Sequence, residues 1–352
     1  MKLSTTTRNQ LGHRAGITVI EVLSAMVVAL IGVFGVMILI PFSVQQARNG
    51  LDRDEASTVG RNAFEQFEVE GFRYVDADNR TRFIGSNGLV NLDGVPGVRV
   101  IDPIYVSEND NVYPDFCGFS RYNLVSTWLD VNDDLVVKPY SKAMARRLCR
   151  STDDLQFESA VNELSPPQQI FDITAAGNTA RRQTLGRISW NAVLVPVKSD
   201  YLSNAPTGGT PGLTFRMHVL THKNRDLGLP TEVAYPLAEV IGPTNTVGYG
   251  GGTVTLNAAL TDVRRDDWVM LRTAANSNTL DAGYNNQVGF YRVVGVDATG
   301  TILTLDGPDF NFGDANTTEL HHLVGFRNGQ RSGQVINVYE RTTRWERKSN
   351  WN

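Results

Sequence analysis

Apolar residues are distributed along this chain in three patterns, each with its own period. From Val22 to Ile40, 19 positions pass without a charge, "VLSAMVVALIGVFGVMILI". A helix of that length measures about 28 Å, close to the ~30 Å of a bilayer core. Pro41 ends the run. From residue 42 the pattern turns one-sided: Val44, Ala47, Leu51, Val59, Ala63 and Phe67 recur largely at three- and four-residue steps. The two patterns together predict one long helix over about 17–71, with Gly71 as its stop.

The third pattern has a period near two. "RISWNAVLVPV" and "LTFRMHVLTH" read as neighbouring strands, joined by the loop "SNAPTGGTPG". In the second strand Leu213, Phe215, Met217 and Val219 point one way, and Thr214, Arg216 and His218 the other. "YSKAMARRLCR", running on into "STDDL", is the one further helix the pattern predicts. Its Lys142, Arg146, Arg147 and Arg150 make a basic stripe, either a solvated face or a contact for an acidic partner. Over 231–311, "GTVTL", "DDWVMLRT", "GFYRVVGVD" and "TILTLDG" read as short strands of a small antiparallel barrel or sandwich. "GQVINVYERTTRWE" alternates well and is expected to return to the main sheet.

The fold class is therefore α+β: a long N-terminal helix, membrane-spanning then amphipathic, packed on a β-rich head with a small all-β insertion. The expected boundaries are 1–16, an N-terminal segment; 17–41, the membrane helix; and 42–75, the amphipathic helix. The head follows over 76–230, the insertion over 231–311, and returning strands over 312–352.

Composition changes this picture little. A hydrophobic fraction of 41% and a charged fraction of 20% are ordinary for a globular protein. A net charge of −4 gives no reason to expect a nucleic-acid partner. The first sixteen residues hold Lys2, Arg8 and Arg14 and no acid, so the rest of the chain has 30 basic residues against 37 acidic ones. That basic flank predicts a cytoplasmic N-terminus and an exported remainder. A secretory signal peptide fits poorly, because its apolar region is shorter and its cleavage site needs small residues, whereas Gln45 stands two before Ala47. A plain single-pass anchor accounts for the length and the flank. It does not account for Glu21, a carboxylate inside the apolar run "GITVIEVLSAMVVALI".

Gly16, apolar Ile17, Thr18, two further apolar residues, Glu21, the long apolar run and Pro41 resemble the N-terminus of type IV prepilins and type II secretion pseudopilins. The resemblance covers roughly residues 12–50 and is greatest to minor pilins of the pilus-modification class and related pseudopilins. It implies a leader peptide over 1–16, cut between Gly16 and Ile17 by a prepilin peptidase on the cytoplasmic side, and N-methylation of Ile17. It also implies that Glu21 pairs with the Ile17 amine of an adjacent subunit when helices assemble into a filament core. There an unpaired charge would be very unfavourable, so the pair would set register as well as hold subunits together. Thr18 belongs to the same assembly motif. Presence of the glutamate argues for a position below the filament tip, where a subunit above supplies the amine. Gly32 and Gly35 serve either close helix approach or, with Pro41, a segment that partly unfolds on assembly. Two features depart from the commonest pattern: Ile17 stands where phenylalanine is usual, and the leader is long for a type IVa subunit.

Catalytic chemistry is hard to find. Cys117 and Cys149 lie 32 positions apart without a CxxC pairing, so they read as one disulfide outside the cytoplasm or as two free thiols. His218 and His222 would share a strand face about 13 Å apart, too far for one metal. With His13, His321 and His322 they read as satisfied surface histidines. Asp130, Asn132 and Asp134 in "DVNDD" start like a calcium loop, but Leu135 replaces the sixth-position glycine and Ser141 the twelfth-position glutamate. They make only a weak calcium candidate. "GYGGGTVTL" leads into a strand rather than a helix, so it lacks the helix N-terminus that phosphate binding uses. No GxSxG, HExxH or Cys/His nucleophile arrangement occurs.

The expectation is a structural subunit of a type IV pilus or secretion pseudopilus, with no cofactor and no catalytic role. Its partners would be other subunits, the peptidase/methyltransferase and inner-membrane lipid. The alternative is a membrane-anchored extracytoplasmic binding or adhesion protein that enters no filament.

Overall fold

A computed structural model describes residues 18–72, 74–75, 80–85, 88–91, 98–108, 115–129, 135–150, 171–172, 181–182, 187–197, 214–225, 237–242, 252–260, 262–273, 288–308, 310, 318–327 and 330–347. Two compact units divide between Leu51 and Asp52. Helix α1 (Val19–Val69) runs through the division. Then come β1 (Tyr74–Val75), β2 (Arg80–Gly85), β3 (Gly88–Asn91), β4 (Arg99–Ile101), α2 (Pro103–Glu108), β5 (Arg121–Leu129), β6 (Leu135–Pro139) and α3 (Lys142–Cys149). After β7 (Phe171–Asp172) and β8 (Arg181–Arg182) come the long strands β9 (Ile188–Pro196) and β10 (Thr214–Lys223). The remainder is β11 (Leu237–Gly242), β12 (Gly252–Leu256), β13 (Trp268–Thr273), β14 (Val288–Val296), β15 (Ile302–Asp306), β16 (Thr318–His322), β17 (Val324–Arg327), β18 (Gln330–Arg344) and β19 (Glu346–Arg347).

The C-terminal half of α1 buries Asp52, Ala56, Val59, Gly60, Ala63 and Phe67, a stripe at three- and four-residue steps. Its end is a Schellman motif. Gly71 takes φ 66°, the Phe72 N–H donates to the Phe67 carbonyl (3.1 Å), and the Gly71 N–H donates to the Glu68 carbonyl (3.0 Å). The Phe67 and Phe72 rings complete it at 5.6 Å. Glycine meets the left-handed requirement without a Cβ penalty.

That stripe packs on one face of a nine-stranded sheet of order β17-β18-β10-β9-β4-β5-β2-β3, with β6 paired to β5. Within it β4 and β5 are parallel, and β10 pairs antiparallel with β9 and β18. Phe83, Phe215 and Trp345 join Phe67 in an aromatic knot with centroids 5.3–6.0 Å apart. Burying a Val or Phe side chain contributes roughly 1.5–3 kcal/mol, so Val59 and Phe67 anchor this half of the helix.

Strands β11-β12-β15-β14-β13-β16 close into an antiparallel barrel with its own apolar interior. The expected insertion ended at residue 311, yet the sixth strand is Thr318–His322. Closure needs β16 to bridge β11 and β13, and its polar sequence "TELHH" hid it from a hydrophobic pattern. The barrel covers the second sheet face, where Met270, Val288 and Phe290 pack with Val100, Val193, Val195, Leu220 and Val335.

Two further expectations need correction. Helix α2 was not foreseen, although Asp102 caps it and Pro103 occupies its first turn. Helix α3, capped by Ser141, stops at Cys149, because Arg150 is extended and bridges Ser189. Of the two alternatives left open for Cys117 and Cys149, the structure has two unbridged thiols, buried in separate apolar clusters on opposite sheet faces.

Candidate functional site

The N-terminal helix carries the residues singled out by the sequence. Gly16, Ile17 and the rest of 1–17 lie outside the described residues, as do Asp130, Asn132 and Asp134. Thr18 is the residue before the first helical turn. Its backbone N–H donates to Glu21 Oε2 (2.9 Å), and the Glu21 N–H lies 3.4 Å from Thr18 Oγ1. This is a capping box: the spacing Thr-x-x-Glu lets each side chain satisfy the other residue's unbonded amide. A carboxylate at this end also faces the positive pole of the helix dipole. Glu21 therefore has a local task that the apolar run around it concealed.

Beyond Glu21 no charge occurs before Arg48. Val19, Ile20 and the large apolar residues through Ile40 are exposed, and the helix is a candidate membrane span by length and composition. Ser24 closes its hydroxyl on the Ile20 carbonyl (2.7 Å) and Ser43 on the Ile40 carbonyl (2.8 Å), so neither needs a partner outside the helix. The helix continues through Pro41, which lacks the N–H that would bond four residues back. A Cβ added at Gly32 or Gly35 would meet nothing within 4 Å, so packing inside this chain does not require either glycine.

The head contains a buried polar centre that sequence reading missed. Asp102 accepts from Arg121 Nη1 (2.6 Å) and Arg225 Nη1 (2.9 Å), and pairs again with Arg225 Nη2. The Arg121 guanidinium lies over the Tyr105 ring at 3.7 Å. Burial acts to raise the Asp102 pKa, but Arg225 and Arg121 outweigh it and hold the group at about 2. His222, bonded to Asn191 Oδ1 (3.0 Å), is pushed well below its usual pKa by burial, then by Arg225. His218 stacks on Phe290 with centroids 4.8 Å apart, and burial with Arg216 lowers it to about 3. Glu340 lies 3.8 Å from His218 but is half exposed, so desolvation dominates.

The histidines are not on the surface as expected: His218 is 4% exposed, covered by Phe290 of the barrel, His222 is 2% exposed beside Asn191 and the Asp102 pair, and His321 and His322 are buried in the barrel's β16. Burial also raises the Cys149 thiol well above its usual value. The centre thus holds a fixed carboxylate gripped by two guanidinium groups beside the neutral His222 imidazole, an arrangement suited to locking strands together. Of these residues the sequence had marked only His218, His222 and Cys149, and nothing in it marked Asp102, Arg121 or Arg225. Among the described residues, no group of three or more His, Cys, Asp or Glu is arranged to hold a metal.

The chain matches no protein-family model, and neither the curated proteins nor the solved structures yield a match.

Proposed function

We propose that this protein is a minor pilin or pseudopilin, processed after Gly16, methylated at Ile17 and assembled through its N-terminal helix into a type IV pilus or secretion pseudopilus. The observation that carries this reading is an apolar helix with a single carboxylate, Glu21, held at its first turn next to the motif Gly16-Ile17-Thr18. Support also comes from the α+β body, in which the second half of the same helix packs on a sheet. In this role the protein is a structural subunit and a substrate of the peptidase, anchored in the inner membrane with its head outside the cytoplasm.

The capping box supports a second reading, because it would serve any membrane helix. In that case the protein is a membrane-anchored extracytoplasmic binding or adhesion protein. The N-terminal residue and intact mass of the native chain, with and without the peptidase, separate the two. A chain that begins at methylated Ile17 only when the peptidase is present supports the subunit. A chain that keeps Met1 supports the anchor.

A further inference from the structure

The barrel has a closed ring of strands and, among the described residues, an interior of thirteen buried residues that the sheet does not share. It leaves the chain through Leu323, one residue between β16 and β17. The two backbone groups of Leu323 are bonded to opposite sides of that junction. Its N–H donates to the Trp268 carbonyl of the barrel (2.9 Å), and its carbonyl accepts from Val335 of the sheet (3.0 Å). The seam beyond it is mostly aliphatic, built from Val100, Val193, Val195 and Leu220 against Met270 and Val288. Aliphatic surfaces attract without direction, so orientation rests on the polar contacts across the seam, among them Trp268 Nε1 to the Ile336 carbonyl (3.2 Å) and Arg272 Nη1 to the Cys117 carbonyl (2.8 Å).

The densest of these directed contacts comes from Arg331 on β18. Its Nε donates to Asp262 Oδ2 (2.8 Å), its Nη1 to Asp267 Oδ1 (2.9 Å) and its Nη2 to Asp267 Oδ2 (2.8 Å), with a further bond from Nη2 to the Asp262 carbonyl. All three nitrogens of one sheet residue thus grip one barrel loop. The same loop holds two non-glycine residues in left-handed conformation, Asp262 (φ 56°) and Asp266 (φ 74°), so it is kept in an uncommon shape. Asp267 is fixed from within the barrel by the Arg264 N–H (2.8 Å) and His322 Nε2 (2.9 Å), and Asp266 pairs with Arg292. Planar, forked guanidinium groups bind in a few geometries only.

We infer that Arg331 is a registry pin: it selects one orientation of a separately folded barrel on the sheet, and without it the seam opens while the barrel stays folded. This is independent of whether the protein enters a filament.

Cys117 reports the seam directly. It lies in the cluster shared by sheet and barrel, and the barrel's Arg272 donates to its carbonyl (2.8 Å). Cys149, in the cluster on the helix side, reports the other core. The full chain in detergent is pulsed with iodoacetamide, and alkylation at each cysteine is followed by mass spectrometry. With Arg331→Met, which keeps the side-chain bulk and removes the charge, Cys117 is expected to react at least about tenfold faster and Cys149 at its original rate. Equal Cys117 rates in variant and native protein would overturn the inference, as would a parallel rise at both cysteines. If Arg331→Met does not fold, Asp262→Asn removes one carboxylate of the pin, leaves Asp267 on His322, and is read in the same way.

Discussion

A Cβ placed on Gly60 of α1 would stand 2.4 Å from Cδ2 of Tyr339 on β18. The obstacle is the body of the ring, and the Tyr339 hydroxyl accepts from Asn337 Nδ2 (2.7 Å), which holds the ring in place. Helix propensity alone would make Gly60→Ala favourable by ~1 kcal/mol. Overpacking costs roughly 1–3 kcal/mol, so the substitution is expected to lower stability on balance. Gly50→Ala is the control, since a Cβ there meets open space, and it is expected to leave stability unchanged or raise it. Thermal unfolding of both variants in detergent checks the pair, and a higher melting temperature for Gly60→Ala would refute the packing account.

Buried His218 and His222 set the acid side of the stability curve. Each stays neutral in the fold and takes a proton when unfolded, near the usual value of about 6.5. Their contribution is therefore complete above that pH and is lost as pH falls, for His218 until its folded value of about 3. The slope for His218 is up to about 1.4 kcal/mol per pH unit, or about 2 kcal/mol by pH 5, and His222 acts in the same direction. Denaturant midpoints at pH 7.5 and pH 5 should differ accordingly, and His218→Phe should remove about 2 kcal/mol of the difference. An unchanged difference in the variant would mean that His218 does not titrate on unfolding. Asp102 acts at lower pH, with its contribution lost as pH drops from about 4 towards 2.

Cys117 and Cys149 have the sheet between them, which disulfide geometry cannot span. The unfolding midpoint should be identical with and without reductant. Denatured, unreduced protein should take up two equivalents of alkylating reagent, and uptake of none would show a bond.

How much of this was legible depends on what covered each surface. Ala63 and Phe67 marked the buried stripe of α1 because one face of that helix meets solvent, so period and burial coincide. The β9–β10 pairing and the helix over Lys142–Cys149 were visible for similarly local reasons. His218 and His222 misled because alternation along β10 implied one wet face, whereas helix and barrel cover both. Nothing local announces that Arg121 and Arg225 converge on Asp102 from 19 and 123 residues away. In the candidate site, "TVIE" spelled out a capping box, yet the apolar surroundings of Glu21 drew attention to its charge instead.

Those two aspects of Glu21 can be separated chemically. A capping box accepts glutamine in place of glutamate, whereas an ion pair with a neighbouring amine requires the charge. Thr18→Ala should weaken the helix start by about 1 kcal/mol under either reading. Glu21→Leu removes both the cap and the charge. Glu21→Gln removes only the charge, so it decides between them. If the chain assembles as proposed, both Glu21 variants should still be cut after Gly16 and reach the membrane, but neither should be recovered in sheared filaments. If Glu21 only caps an anchor helix, Glu21→Gln should behave as the native protein does, and the carboxylate would be explained by Thr18 alone.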